Sequence, residues 1–210
     1  MLKNIAKLAC LFILFSNVAI AEEFEAGKDY EVLPAPVITH DKSKVEVVEL
    51  FWYGCTHCFH FEPMLNAWKA KQADDVDFLR VPAMWNSSMQ LHAKAFYTAK
   101  ALGVLDKMHP VIFHAMNVEH NRLRTEDAIA ELFAKQGLDA EAFSKTFNSF
   151  GVNSQVKLAE SRAKSYRLQG TPEMVVNGKY RLSTSLTGSQ EKMLKVADFL
   201  IAKERAALAK

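Results

Sequence analysis

Residues 45–53 read Val-Glu-Val-Val-Glu-Leu-Phe-Trp-Tyr, and Gly54 then leads directly into Cys55-Thr56-His57-Cys58. This junction constrains the fold more than any other feature of the chain. A run of β-branched and aromatic residues, apolar almost throughout, is the pattern of a strand buried in the middle of a sheet. Gly54 ends it. A Cys-x-x-Cys at the point where such a strand gives way to a helix reads as a redox-active dithiol. On the first helical turn the two sulfurs are close enough to bond to each other. Cys55 falls at the helix N-terminus, where unpaired backbone N–H groups and the helix dipole favour negative charge and stabilise its thiolate. Cys58 lies one turn further in and is more shielded. Cys55 is therefore expected to be the attacked and attacking sulfur, and Cys58 the resolving one. His57 can donate to the thiolate or place positive charge near it. Whatever stabilises the thiolate stabilises the reduced form and makes the disulfide a stronger oxidant.

The chain holds three cysteines, and the third, Cys10, lies in a segment set apart from the fold. Lys3 and Lys7 precede a short apolar run from Leu8 to Phe15, and Ala19-Ile20-Ala21 offers a small-x-small cleavage site. Residues 1–21 therefore read as a secretory signal peptide, with the mature chain beginning at Glu22. The apolar run is too short to span about 30 Å of hydrocarbon. A lipoprotein reading fits poorly, because Lys7 and Leu8 do not suit a lipid-attachment box and the run continues past Cys10. No later segment is long and apolar enough to span a membrane. The leader carries two of the 26 basic residues and none of the 24 acidic ones, leaving 24 of each. No basic excess points to nucleic acid or anionic lipid.

The mature chain is left with Cys55 and Cys58. A disulfide scaffold would carry several well-separated pairs, and a loop this small constrains the unfolded chain little. The pair reads as chemistry. Zinc needs about four ligands, and no second cysteine pair exists. Covalent haem needs His directly after the second Cys, where Phe59 stands. Placed after a buried strand, the pair resembles a thioredoxin-like motif.

The remaining pattern gives a short strand at 29–33 ended by Pro34 and Pro36, the central strand at 45–53, a helix from Cys55 to about Gln72 with a kink expected at Pro63, and a second long strand at 76–81. From about Asn86 to Arg167 helical patterns follow one another, roughly 88–102, 104–117, 125–136, 140–150 and 152–167, with Gly103, Gly137 and Gly151 as stops. Strands return at 173–176 and 179–182, joined by Asn177-Gly178, a strong hairpin signal. A last helix covers about 189–205. Met84-Trp85 and the Phe and Met residues of the helical block are expected in the core.

Two residues outside the cysteine motif bear on the chemistry. Glu49 lies among apolar neighbours on the strand leading to the site. Buried, it could relay protons to Cys58; on an edge strand it would be an ordinary exposed acid. Pro172 follows Gly170-Thr171 just before a strand, either as a strand-start proline or as a cis proline beside the cysteines. The other histidines show no metal-ligand spacing.

On these residues the chain resembles the DsbA family over essentially its whole mature length. The matching segments are Gly27-Lys-Asp-Tyr30, Glu49-Leu-Phe-Trp-Tyr-Gly-Cys-Thr-His-Cys58, Phe61-Glu-Pro63, Ala101-Leu-Gly-Val104, Asn148-Ser-Phe150 and Gly170-Thr-Pro-Glu-Met-Val-Val-Asn-Gly-Lys-Tyr180. The resemblance implies an α/β chain with a thioredoxin-like fold and an inserted all-helical domain: 22–84 and 166–210 form the thioredoxin-like part and 85–165 the insertion. It implies that Pro172 is the family's cis proline, that Thr171 pairs with substrate backbone, and that Glu49 is the buried acid beneath the site. It further implies a periplasmic disulfide oxidase, without bound cofactor or metal, that acts as a monomer on reduced exported proteins and is reoxidised by a DsbB-type membrane protein passing electrons to quinone. The family usually has Pro-His between the cysteines. Thr56 replaces the proline here, at a position expected to tune the redox potential.

Two rival readings are an isomerase or reductase, and a chaperone or peptide-binding module whose redox role is secondary. An isomerase of the DsbC type would need a dimerisation domain before the redox domain, and only about 25 mature residues precede the central strand.

Overall fold

The computed structural model describes residues 23–208, so the expected signal peptide lies outside the described residues. Five strands form one mixed sheet. They are β1 (Glu31–Val32), β2 (Val45–Phe51), β3 (Val76–Pro82), β4 (Glu173–Val176) and β5 (Tyr180–Ser183), in spatial order β1-β5-β4-β2-β3. Only β2 and β3 run parallel; the other pairings are antiparallel. The helices are α1 (Thr56–Lys69), α2 (Ser87–Ala101), α3 (Leu105–Asn117), α4 (Glu126–Lys135), α5 (Ala140–Phe147), α6 (Phe150–Ser165), α7 (Thr184–Thr187) and α8 (Gln190–Leu208). The parallel pair β2–β3 is joined across α1, as a parallel connection requires. Helices α2–α6 all fall between β3 and β4.

Strand β2 is buried at every position and lies between β3 and β4. Its side chains alternate between two cores, as the two-residue period of a strand dictates. Val45 and Val47 pack with Phe61, Leu65 and Trp68 of α1 and with the apolar face of α8. Val48 and Leu50 pack into the core shared with α2–α6, among Phe96, Phe113, Phe133 and Phe147. The same alternation sends two carboxylates to opposite faces. Glu46 accepts from Arg162 Nη2 at 2.9 and 3.0 Å, from Tyr166 Oη at 3.3 Å and from the His40 N–H at 2.8 Å. It thereby ties α6 to the sheet. Glu49 faces α1.

Several expectations need correction. The central strand stops at Phe51, because the Ala83 N–H closes on the Phe51 carbonyl and Trp52 turns out of the ladder. Helix α1 begins at Thr56, with Cys55 as its N-cap, and runs on through Pro63. Gly103 and Gly137 do stand at helix ends, with φ of 70° and 80°. Gly151, however, lies inside α6; the break falls at Asn148-Ser149, where the Ser149 hydroxyl caps α6 by accepting from the Val152 N–H at 3.2 Å. Trp85 and Phe150 are not core residues, being 53% and 88% exposed. Helix α7 carries no pattern that separates it from a loop. The β4–β5 hairpin forms as expected, with Asn177 and Gly178 both at positive φ. Gly178 is required there twice over, since a Cβ would also lie 2.1 Å from the Val37 carbonyl oxygen. Among the described residues no helix is long and apolar enough to cross a membrane.

Candidate active site

The site is assembled where β2 ends, α1 begins and β4 starts. Trp52 and Gly54 make the turn. A Cβ on Gly54 would lie 2.4 Å from the Trp52 indole, so only glycine lets that ring fold back over the turn. The ring stacks on His92 of α2, with Nε1–H donating to His92 Nδ1 at 3.0 Å. The chain then enters α1 with Cys55 in extended conformation, its sulfur accepting from the Cys58 N–H at 3.4 Å. Cys55 is half-buried and Cys58 fully buried, both as free thiols. Thr56 and His57 are exposed, and the His57 carbonyl accepts from Gln190 Nε2 at 2.8 Å.

The Thr171–Pro172 peptide bond is cis, and it brings the start of β4 against Cys55. The Cys55 thiol donates to the Thr171 carbonyl at 3.3 Å. Of the two sequence readings of Pro172, the structure shows the cis one.

The environment splits the two sulfurs. Cys55 is held down to about 5, first by a hydrogen bond from the Cys58 thiol, then by the Thr171 side chain and the backbone N–H groups of Cys58 and His57; its partial burial opposes them. Burial pushes Cys58 far above the ordinary thiol range, reinforced by the charges on Cys55 and Glu49. The surroundings thus favour the anion at the first sulfur and the thiol at the second.

Beneath them, Glu49 is wholly buried. Its Oε2 accepts from Arg80 Nε at 2.9 Å, while Oε1 finds no donor among the described residues. Burial raises the Glu49 carboxyl above the usual carboxylate range, and Arg80 offsets this only in part because it is shared. Arg80 Nη2 also donates to Glu62 at 3.1 and 3.2 Å and to Asn66 Oδ1 at 2.8 Å. His109 of α3 continues the line. Its Nε2 lies 3.3 Å from Glu62 Oε1, at an angle that falls short of a hydrogen bond, and its Nδ1 meets the Tyr53 hydroxyl at 2.8 Å. Burial opposes ionisation of Glu62, but His109 and Arg80 outweigh it and hold the carboxyl below its ordinary range. Burial lowers His109. Glu62 and His109 line an opening of about 460 Å³ between α1 and α3, floored by Phe59 and Phe113. Ionisable side chains thus line up from the acid under the cysteines to an open pocket, with Arg80 joining Glu49 to Glu62.

Cys55, Cys58, Thr171 and Pro172 are brought into contact, with Glu49 on the strand beneath. Arg80, Glu62, Tyr53 and His109 join them without a motif to announce them. Two of them left a signal. Cys58, Glu62 and Asn66 recur at four-residue spacing on one face of α1, and Arg80 is a lone cation near the end of a strand otherwise rich in apolar residues. Nothing local marks His109.

A family model described as DSBA-like thioredoxin domain matches residues 68–196, beginning just past the cysteine pair. Thiol:disulfide interchange protein DsbA of Pseudomonas aeruginosa is 43% identical over 197 residues, covering 94% of this chain and 93% of that protein. The chain belongs to the DsbA family. The protein of the same name from Azotobacter vinelandii is 44% identical over 185 residues, covering 88% of this chain and 86% of its own length. The crystal structure of Pseudomonas aeruginosa DsbA superposes with a TM-score of 0.85 at 43% identity, over 89% of this chain and 97% of that one. Oxidoreductase DsbA from Xylella fastidiosa superposes with a TM-score of 0.81 at 34% identity, over 87% and 98%. The match to the Pseudomonas protein leaves too little of the chain outside it to omit residues 55–58. The DsbA family's thioredoxin-like fold is therefore the fold of this chain, and thiol:disulfide interchange is its chemistry.

Proposed function

We propose that the protein donates its Cys55–Cys58 disulfide to reduced exported proteins in the periplasm. The observation that carries this reading is the division of the two sulfurs: an anion-stabilised Cys55 at the start of α1 and a buried, protonated Cys58 one turn in. A substrate thiolate attacks Cys55 Sγ; the Cys55–Cys58 bond breaks and Cys58 leaves, taking a proton. Glu49, kept protonated by burial, supplies that proton and regains one from solvent; Arg80, permanently charged, tunes the Glu49 carboxyl and does not itself carry the proton. The second substrate thiolate then attacks the substrate sulfur of the mixed disulfide. A substrate disulfide forms and Cys55 leaves as a thiolate. Two electrons have passed from the substrate dithiol to the cysteine pair.

Magnitudes support this direction. Relative to an unperturbed thiol near 9, a midpoint about 5 raises the thiolate fraction at pH 7 by roughly 100-fold. Intrinsic nucleophilicity falls with pKa, by roughly 40- to 100-fold over the same interval. The two nearly cancel, so Cys55 gains little as an attacker. It gains as a leaving group, and the reduced form gains stability.

In this reading Thr171 and Pro172 present backbone to the substrate strand, His57 and Thr56 tune the potential, and the protein works as a monomer without bound cofactor. A DsbB-type membrane protein reoxidises it: Cys55 attacks that protein's disulfide, Cys58 resolves the mixed disulfide, and the electrons go on to quinone. Export by a leader at 1–21 and the division into 22–84, 85–165 and 166–210 belong to the same proposal. The test is oxidation of a reduced, unfolded secreted protein by one equivalent of the oxidised chain, followed by trapping of free thiols. Substrate disulfides should appear as Cys55 and Cys58 become alkylatable. A Cys55→Ser/Cys58→Ser variant that still promotes folding as well as the parent would make this a peptide-binding chaperone.

A further inference from the structure

A second opening, of about 520 Å³, flanks the cysteine turn. Trp52, Gly54 and Thr56 form one wall, and the loop from α3 to α4 forms another, contributing His120, Arg122 and Arg124. No Asp or Glu lines it. Arg122 and Arg124 are exposed, and among the described residues neither guanidinium has a hydrogen-bond or ion-pair partner. By contrast, Arg80, Arg162, Arg181 and Arg205 each meet a carboxylate. Two uncompensated cations therefore line an opening that the residue after Cys55 also lines.

The loop that carries them is fixed to the site. Since His92 Nδ1 accepts from Trp52, its Nε2 carries the proton and donates to the Arg122 and Leu123 carbonyls, each at 3.2 Å. Burial keeps that imidazole neutral by lowering its pKa. Leu123 is itself buried, and Asn117 Nδ2 donates to the Tyr53 carbonyl at 2.8 Å. Trp52, which helps make the Cys55 turn, thus holds the basic loop through His92, and Tyr53 holds the end of α3 from which that loop departs.

We infer that this pocket is a subsite for a carboxylate of the substrate polypeptide, so that cysteines flanked by Asp or Glu are oxidised preferentially. This rests on the disulfide-donor reading above and adds a substrate class to it. Guanidinium groups suit carboxylates because their donors match both oxygens. The charge is local: outside the expected leader, acidic and basic residues balance at 24 each. Gly54 and Thr56, on either side of Cys55, line the same opening as these cations, and no Asp or Glu lines it to repel an acidic side chain of a polypeptide seated at Cys55.

The test compares three dithiol peptides that differ only in the residues beside the first cysteine, Glu, Gln or Lys, at low and high salt. The oxidised protein should react with the Glu peptide about fivefold faster than with the Lys peptide at low salt. The ratio should fall towards one in Arg122→Ser/Arg124→Ser and in high salt. It should persist in Lys42→Ser/Lys71→Ser, which removes two exposed charges from the far ends of β2 and α1, about 20 Å from the site. A ratio near one in the parent protein, an unchanged ratio in the arginine variant, or an equal loss in the lysine control would overturn the inference. So would a preference confined to reduced glutathione, which would make the pocket a small-anion site. Failure to oxidise even the Gln peptide would instead defeat the disulfide-donor reading itself.

Discussion

Replacing Cys58 by alanine isolates what holds Cys55 in its anionic form. The largest support for the Cys55 thiolate is the hydrogen bond from the Cys58 thiol, ahead of the Thr171 side chain and the two backbone N–H groups. Hydrogen bonds to charged groups contribute about 1.5–3 kcal/mol. An S–H is a weak donor, which places this one at the low end. One pH unit corresponds to about 1.4 kcal/mol, so Cys58→Ala is predicted to raise the Cys55 midpoint by roughly one pH unit. It should not return to the ordinary thiol range, because the N–H groups at the start of α1 remain. Thiolate absorbance near 240 nm gives both numbers. The reduced parent should show one inflection at about 5 and none from Cys58 below the range where the protein unfolds. An unmoved midpoint in the variant would show that Cys58 contributes nothing. A jump to the ordinary thiol value would show that the helix N-terminus contributes nothing.

Other predictions use the same geometry. Because the folded-state pKa of Cys55 is depressed, the reduced fold carries thiolate stabilisation that is full above the unfolded thiol pKa and disappears as pH falls through about 5; urea unfolding of reduced and oxidised protein across that window should converge at its acid end. Glu49 has the opposite sign for a carboxyl: its raised pKa costs stability as pH climbs above the unfolded value, so Glu49→Gln should melt higher than the parent at pH 9, by at least about 2 °C, and match it at pH 4. A lower melting point at pH 9 would show that the ion pair with Arg80 outweighs burial. Thr56→Pro should stabilise by about 0.5 kcal/mol, since Thr56 is the first residue of α1 and Cys55 before it is extended, with φ −91° and ψ 110°. A drop in denaturation midpoint would count against it. Gly54→Ala should cost about 1–3 kcal/mol and alter Trp52 fluorescence by forcing the indole off His92; an unchanged spectrum would contradict that packing.

Much of this site is legible in the sequence because its core is local. Cys55 and Cys58 share one helical turn, and the apolar run of β2 announces what precedes them. Glu49 stands out as a carboxylate in that run, although Glu46 does too, and only the alternation of strand faces separates them. One meets Arg162 and Tyr166 with both oxygens satisfied, the other keeps Oε1 unpartnered. The remainder depends on tertiary contacts. Tyr53 is 56 residues from His109, and Trp52 is 40 from His92, so neither pairing leaves a periodic trace. Boundaries shifted where a side chain overrode a backbone preference: Ser149 caps α6 and carries Gly151 into the helix. Trp85 and Phe150 look like core by composition, yet lie at element ends where no second layer covers them.

In the proposed function the cysteine pair gives up its disulfide rather than holding it. Equilibrating the purified chain with defined ratios of reduced and oxidised glutathione, then counting alkylated Cys55 and Cys58, measures this directly. The pair should stay largely reduced in mildly reducing buffer, with a potential far above the roughly −270 mV of thioredoxin. A potential near that value would contradict the proposed function and make the protein a reductant on the same scaffold.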